Sequence, residues 1–389
     1  MKDTWDNMHY IAVDFFKDFE CVADSCPSTC CAGWTITIDE ATRKKMIAKE
    51  DILGVPAKDW LIEKDGRVMA KLHNGRCCML NDKNLCEVVL KLGPEYLSHT
   101  CTVYPRIIRK YGDVQEIYLT LSCPEVIKRL MACSYVDFDF GEDDLPGDKF
   151  EHKELYLFES IVRNELMAVM QGYSNVSFVT RVFACYQILE IALKLYNNNC
   201  LDFEEFDRSI SLYHNENNLR AYELQMQSLQ MEEQRYTFLK SLKNVLKTSD
   251  SSAPKESGYE KFVSYFKKTD YQTYLSDLGH FRERMKEYED FWSKYLTYRM
   301  FSEFISLPDF NGARTNLLYI AAEFCLIQAI ALANYADNQG VLTEEEYILI
   351  ISYLSRTMEH NKSFHTNLAK NMEEQGVVNL AGLLLMTFV

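Results

Sequence analysis

The sequence predicts a mainly α protein: a small Cys-rich α+β metal-binding module at the N-terminal end, followed by an all-helical domain. Three observations predict it. Ten of the 13 cysteines fall within the first 133 residues. Strand-like alternation and hairpin turns lie in that same stretch. Beyond it, apolar residues recur at helical spacing towards the C-terminus. A length of 389 residues allows two domains of roughly 150 residues or more. The division placed on the chain is a module over 1–136, a helical domain over 150–389 and a loop at 248–258. The hydrophobic fraction of 47% and charged fraction of 25% are those of an ordinary soluble globular protein. They exclude disordered, collagen-like and coiled-coil classes.

Trp34–Asp39, reading WTITID, alternates like a strand. Ala41–Lys49 fits a short helix with Asp39 or Glu40 near its start. Leu61–Leu72 carries Asp65-Gly66 between two apolar-bearing runs and predicts a hairpin. A second hairpin is expected over Ile107–Ser122, turning at Gly112-Asp113. Ser122-Cys123-Pro124-Glu125 resembles a helix start, with Ser as cap and Pro early. Two polar stretches, Asp137–Asp148 and Thr248–Gly258, read as linkers because they hold too little apolar surface to bury.

Lys153–Met170, Phe178–Tyr196, Leu219–Leu246, Tyr271–Ser306, Ala313–Tyr335 and Glu344–Met358 all predict helices. Trp292, Tyr295, Tyr298 and Phe301 recur every three residues and read as helix-packing core. Thr343-x-x-Glu346 before an apolar run is a capping box. Leu317–Ala336 is the most apolar stretch, yet it contains Glu323, Gln328 and Asn334. It reads as a buried core helix, since a membrane span wants about 20 residues with few polar ones.

Charge divides as the cysteines do. Residues 1–135 carry a net −1 and residues 136–389 a net −14. Such acidity repels phosphates, so no nucleic-acid partner is expected. No membrane partner is expected either. Met1–Phe19 lacks the basic and apolar regions of a signal peptide, which points to a reducing cytoplasm. There, clustered cysteines read as metal ligands or redox groups rather than disulfides.

The first cluster is Cys21-x4-Cys26-x3-Cys30-Cys31, with Asp24, Ser25, Pro27, Ser28 and Gly33 as turn formers around it. Cys77, Cys78, Cys86, Cys101 and Cys123 follow. Adjacent side chains diverge, so Cys30 and Cys31 fit two metal centres, or two irons of one cluster, better than one shared ion. Thiolates select Zn, Cu(I) or iron–sulfur clusters. The spacings do not make two C-x2-C zinc pairs and fit iron–sulfur ligation at least as well. His9, His73 and His99 stand at no finger-like spacing. Cys185, Cys200 and Cys325 read as packing residues. Cys78 and Cys133 fall between the two groups.

Taken together, several motifs resemble the flagellin lysine-N-methylases, a bacterial family related to zinc- or iron-chelating proteins with a CxxCxxCC-type signature. They are the cysteine run with its following Gly33-Trp34 and Ile38-Asp39, Cys77-x2-Leu80, Leu85-Cys86, Leu92-Gly93-x2-Tyr96-Leu97-x2-Thr100-Cys101-x2-Tyr104-Pro105-Arg106, and Leu121-Ser122-Cys123-Pro124-Glu125. The resemblance covers about residues 21–125. It implies a protein lysine N-methyltransferase acting on flagellin, with S-adenosylmethionine as methyl donor. It also implies a [4Fe–4S] cluster, with zinc the alternative. The ligands it implies are Cys21, Cys26, Cys30, Cys31, Cys77, Cys86, Cys101 and Cys123, with Cys78 left outside the set.

Methylating a lysine needs a neutral amine, so a site must lower its pKa or accept its proton. Tyr104 is a candidate to contact the amine, and Arg106 to bind the donor carboxylate. Asp39 and Glu125 are candidate bases. The sequence has no Gly-rich nucleotide-binding fingerprint. It also lacks CxxxCxxC, because Cys31 follows Cys30 directly. Two competing readings therefore stand: a non-enzymatic iron–sulfur or zinc carrier or scaffold, and a thiol redox protein.

Overall fold

The computed structural model describes residues 10–387 except Gly33, Thr35, Asp65, 142–149, Ser174 and 250–256. The turn formers Gly33 and Asp65, and most of both predicted linkers, lie outside the described residues. The fold is mainly helical, with small sheets confined to the cysteine-rich end.

A four-stranded mixed sheet has the order β6 (Arg106–Tyr111), β7 (Val114–Leu119), β1 (Tyr10–Val13), β8 (Phe138–Gly141). The β6–β7 hairpin turns at Gly112 as predicted, where a φ of 67° favours glycine. β1 lies parallel to β7 and antiparallel to β8. Neither of these pairings was expected. β8 occupies the start of the predicted first linker, where Phe138 and Phe140 alternate with polar residues too briefly to stand out. The Leu61–Lys64/Arg67–Ala70 hairpin, β2 and β3, forms as expected, and a short antiparallel pair, β4 (Leu72–His73) and β5 (Arg76–Cys77), follows it.

Trp34–Asp39 is a correction. The segment runs beside β3, with Ile38 N–H donating to Val68 O at 2.9 Å and Ala70 N–H to Ile36 O at 2.9 Å. Among its described residues the ladder amounts to one isolated bridge, Thr37 to Met69, short of a strand. Burial of Ile36 and Ile38 accounts for the alternation seen in the sequence. The helix Glu40–Ile47 follows, capped by Asp39, whose side chain accepts from Thr42 N–H. At the later helix start, Pro124–Ala132, the cap residue is Cys123 and no side chain caps it. Ser122 instead bonds to Thr120 and Tyr104.

The helical part begins with Lys153–Gly172 and Phe178–Asn197. Two long predicted helices are broken. Leu219–Leu246 divides into Glu216–Gln227 and Glu232–Ser249, and Tyr271–Ser306 into Tyr271–Met285 and Glu289–Glu303 with a 3₁₀ turn between. Phe203–Ile210, Tyr259–Lys268, Lys362–Glu374 and Leu380–Thr387 are helices without a sequence expectation. The capping box at Thr343 forms in full. Gly312–Asp337 is long and apolar enough to cross a membrane, but 89% of its most apolar window is buried inside the protein. Trp292, Tyr295, Tyr298 and Phe301 are all buried in the main core.

That core crosses residue 136. It joins Ile11, Val13, Tyr118 and Leu119 of the sheet to the helices. At the joint, Arg163 donates to both oxygens of Glu116 at 2.9 and 2.6 Å, and Tyr156 Oη donates to the same carboxylate at 2.8 Å. Both charges are buried, where only close pairing makes them tolerable. The cysteine lobe over residues 36–97 has two small clusters of its own, one centred on Trp60 and one on Ile36.

Candidate metal and methyl-transfer site

The cysteines expected as ligands come from four segments that the fold links to one another. The first segment turns through a 3₁₀ helix at Ala23–Ser25 and bends back at Cys26, whose thiol donates to Ser28 O at 3.2 Å. Cys77 N–H donates to Cys31 O at 2.7 Å, and Ala32 bridges Arg76, so the second segment is bound to the first. Leu80 bridges Cys86, which returns the chain to the same place. Cys101 sits in the helix His99–Val103, capped by Ser98, and packs with Cys77 against Ile36, Ile38 and Ala70. Cys123 lies at the start of Pro124–Ala132 in the main core. All eight thiols are unpaired, and so are Cys78 and Cys133.

The thiols that feel one another fall into two neighbourhoods meeting at Cys30-Cys31. Cys21 acts on Cys26, Cys30 and Cys123. Cys31 acts on Cys77, Cys86 and Cys101. Burial pushes Cys101 and Cys123 each up to about 11. Cys31 goes the other way. A hydrogen bond from the Cys30 thiol, helped by Thr29 and the Arg356 and Arg76 guanidiniums, brings it down to about 7. Cys78 is lowered in the same manner by Cys77.

The donor set is thiol-rich and suits a soft metal or an iron–sulfur cluster. Among the described residues, no three His, Cys, Asp or Glu side chains stand in the mutual arrangement that would hold a metal ion.

Tyr104 packs its ring 6.0 Å from that of Trp34, and its hydroxyl lies 3.2 Å from Ser122 Oγ. The Trp34 indole donates to Cys30 O at 2.6 Å, so Tyr104 stands directly behind the paired cysteines. Arg106 donates to Phe19 O at 3.0 Å and lies over the rings of Phe16 and Phe19. Of the candidate bases, Asp39 accepts from His99 N–H, Thr42 N–H and the Thr42 hydroxyl. These bonds hold it down at about 2. Glu125 pairs with Arg129 at 3.8 Å on its own helix.

Sequence reasoning missed Arg356. This buried arginine of the helix Glu344–His360 donates to Thr29 O at 3.4 Å and Ala32 O at 3.1 Å on the cysteine loop. It also donates to Ser122 O at 3.1 Å beside Cys123. One guanidinium thus clamps two cysteine segments to the helical part. A signal existed: Ser352, Ser355, Arg356 and Glu359 form a polar line at i, i+3, i+4 and i+7 on a helix whose middle, Tyr347–Ile351, is apolar. The line points to a polar neighbour without saying which one.

Comparison with known proteins gives three findings. Residues 163–386 match the profile of the FliB lysine N-methylase C-terminal domain. The chain aligns at 34% identity over 129 residues with the flagellar biosynthetic protein FliU of Salmonella muenchen, covering 30% of this chain and 73% of that one. It aligns at 36% identity over 124 residues with lysine-N-methylases of Salmonella choleraesuis and Salmonella typhimurium, covering 30% of this chain and 31% of each. The chain thus spans about a third of the length of those two relatives. No solved structure matches it.

Proposed function

The chain belongs to the FliB lysine N-methylase family, and from that premise we propose that it is a protein lysine N-methyltransferase acting on flagellin in the bacterial cytoplasm. The proposed donor is S-adenosylmethionine, and the proposed centre is a [4Fe–4S] cluster held by cysteines of the N-terminal lobe. The observation that carries the reading is the Arg356 clamp. It ties the cysteine segments to the helical region that matches the family.

The residues that would hold the cluster are drawn from Cys21, Cys26, Cys30, Cys31, Cys77, Cys86, Cys101 and Cys123. With one iron left without a cysteine, such a centre would offer a Lewis-acidic site for anchoring a polar ligand group. The protein must do the rest. It must exclude water, strip the lysine of its proton and hold nitrogen and methyl in line, since positioning supplies most of the rate. Tyr104, behind Cys30 and Cys31, remains the proposed contact for the amine. Arg106 remains the proposed group for the donor carboxylate, which would have to replace its bond to Phe19 O.

The test is incubation of anaerobically prepared protein with flagellin and S-adenosylmethionine, followed by mass spectrometry of flagellin lysines. Iron and sulfide are measured on the same sample. Unmodified flagellin with the cluster intact would sink the reading.

A second reading, a non-enzymatic metal carrier or scaffold, draws on the sheet. Among the described residues the one parallel pairing is β1 with β7, and they form no doubly wound nucleotide-binding sheet. Calorimetry separates the two, because a carrier binds no methyl donor.

A further inference from the structure

Four side chains from three distant segments form one hydrogen-bonded line. Tyr104 Oη lies 3.2 Å from Ser122 Oγ, and Ser122 Oγ lies 2.9 Å from Thr120 Oγ1. The Thr120 hydroxyl donates to the carboxylate of Glu359, in the helix Glu344–His360. Ser122 and Thr120 are buried, and Glu359 is an exposed residue whose carboxyl turns inward onto Thr120. The line therefore runs from behind the paired cysteines, through the interior, to a residue at the protein surface.

Its polarity is fixed by what each group can donate. An ionised Glu359 only accepts, so Thr120 spends its proton there. Thr120 Oγ1 must then accept from Ser122, and it also accepts Ser122 N–H at 3.1 Å. Ser122 in turn accepts from Tyr104. This leaves the Tyr104 oxygen as the open acceptor at the cysteine end. A set of buried hydroxyls needs partners, but it does not need to be aligned head to tail with a carboxylate at the outlet.

We propose that Glu359 is the proton acceptor for the substrate lysine, reached through Thr120, Ser122 and Tyr104. The inference rests on the lysine-methylation reading above. The ammonium proton goes to Tyr104 Oη as the tyrosine proton moves to Ser122. The Ser122 proton moves to Thr120, and the Thr120 proton to Glu359. The carboxylate becomes a carboxylic acid, each hydroxyl is regenerated, and the amine keeps its lone pair. That pair forms the N–C bond while the donor's C–S bond breaks and its electrons return to sulfur. Glu359 then releases its proton to water.

The surroundings suit this role. Glu303, Glu323, Arg299, Tyr298 and Tyr118 face Glu359 from the neighbouring helices and β7. Protein packed around the carboxyl, with Glu303 and Glu323 adding and Thr120 and Arg299 opposing, lifts it to about 7. A base poised there takes and returns a proton near neutral pH.

The experiment follows initial rates of flagellin methylation against pH for the full chain, Glu359→Gln, Thr120→Val and Ser122→Ala. The wild type is expected to show a rising limb with its midpoint near 7. Each variant is expected to lose that limb and about 10²- to 10⁴-fold in rate at neutral pH, with donor binding by calorimetry unchanged. Variants that fold and keep the wild-type limb overturn the proposal. An infrared difference spectrum, wild type minus Glu359→Gln, gives a readout independent of turnover. A carboxylic C=O band titrating near 7 supports the assignment, and its absence overturns it. If the wild type methylates nothing, the methylation reading fails and this inference falls with it. If the wild type methylates and the variants behave like it, only this inference fails.

Discussion

Around Trp60 only Met46, Leu53, Met79 and Val88 are buried with it, whereas the helix Gly312–Asp337 alone buries 18 residues. The contrast shows how each region is kept in shape. The helices bury enough apolar surface to hold themselves, at about 25 cal/mol per Å². The cysteine lobe has two small clusters and depends on contacts with the rest of the chain and, on the proposed reading, on metal. Two buried arginines add polar ties to the joint that the shared core makes. Arg163 pairs with Glu116 under β7, and Arg356 clamps the cysteine loop.

The contrast can be broken first at its strongest joint. Arg163→Met leaves Glu116 buried with only Tyr156 as partner, and should cost about 3–5 kcal/mol. Urea unfolding reads this directly; a loss under about 1 kcal/mol would show that the pair does not join the regions. Trp60→Ala should cost a comparable amount, about 3–5 kcal/mol, but within the lobe. Hydrogen exchange should accelerate over residues 40–97 while Gly312–Asp337 keeps its protection. Equal acceleration in both would mean that the two regions unfold as one.

Arg356→Ala removes the donor from three backbone carbonyls and should cost about 2 kcal/mol. Faster thiol labelling at Cys30 and Cys31 is the expected sign, and unchanged labelling would count against the clamp. A pH test sharpens the helical side. Burial pushes Glu159 up to about 7, although Ser306 N–H donates to it at 2.7 Å. Its folded pKa lies above the ordinary carboxylate value. Its contribution to stability is therefore complete below that value and is lost as pH rises through about 7. Glu159→Gln should flatten that part of the stability–pH curve, as read by thermal melts. The smallest effect expected is about 1 kcal/mol for Thr343→Ala, which removes a capping box at the protein surface. A melting curve unchanged by it would put the capping contribution at nil.

Much of the helical part was legible. Apolar spacing located Lys153–Gly172, Phe178–Asn197, Gly312–Asp337 and Glu344–His360 within a few residues, because a buried helix face imposes its period on the sequence. The breaks at Ser228–Met231 and Lys286–Tyr288 were not legible, since the apolar pattern continues across both. In the lobe, glycine turns marked the hairpins, but Trp34–Asp39 imitated a strand through the burial of Ile36 and Ile38 alone.

The sequence by itself determined that a thiol-rich segment precedes an acidic helical one, because residue type and spacing are properties of the chain. It also carried the motifs through which the family resemblance was seen, while the family profile matches residues 163–386. Only the tertiary structure decided that the Cys30 and Cys31 thiols meet each other, although adjacent side chains are expected to diverge, that Arg356 reaches Ala32, and that Thr120 meets Glu359. Thr120 and Glu359 are 239 residues apart. Hydrogen bonds act over about 3 Å whatever the separation along the chain, so no local pattern of residues can record which distant groups folding brings together.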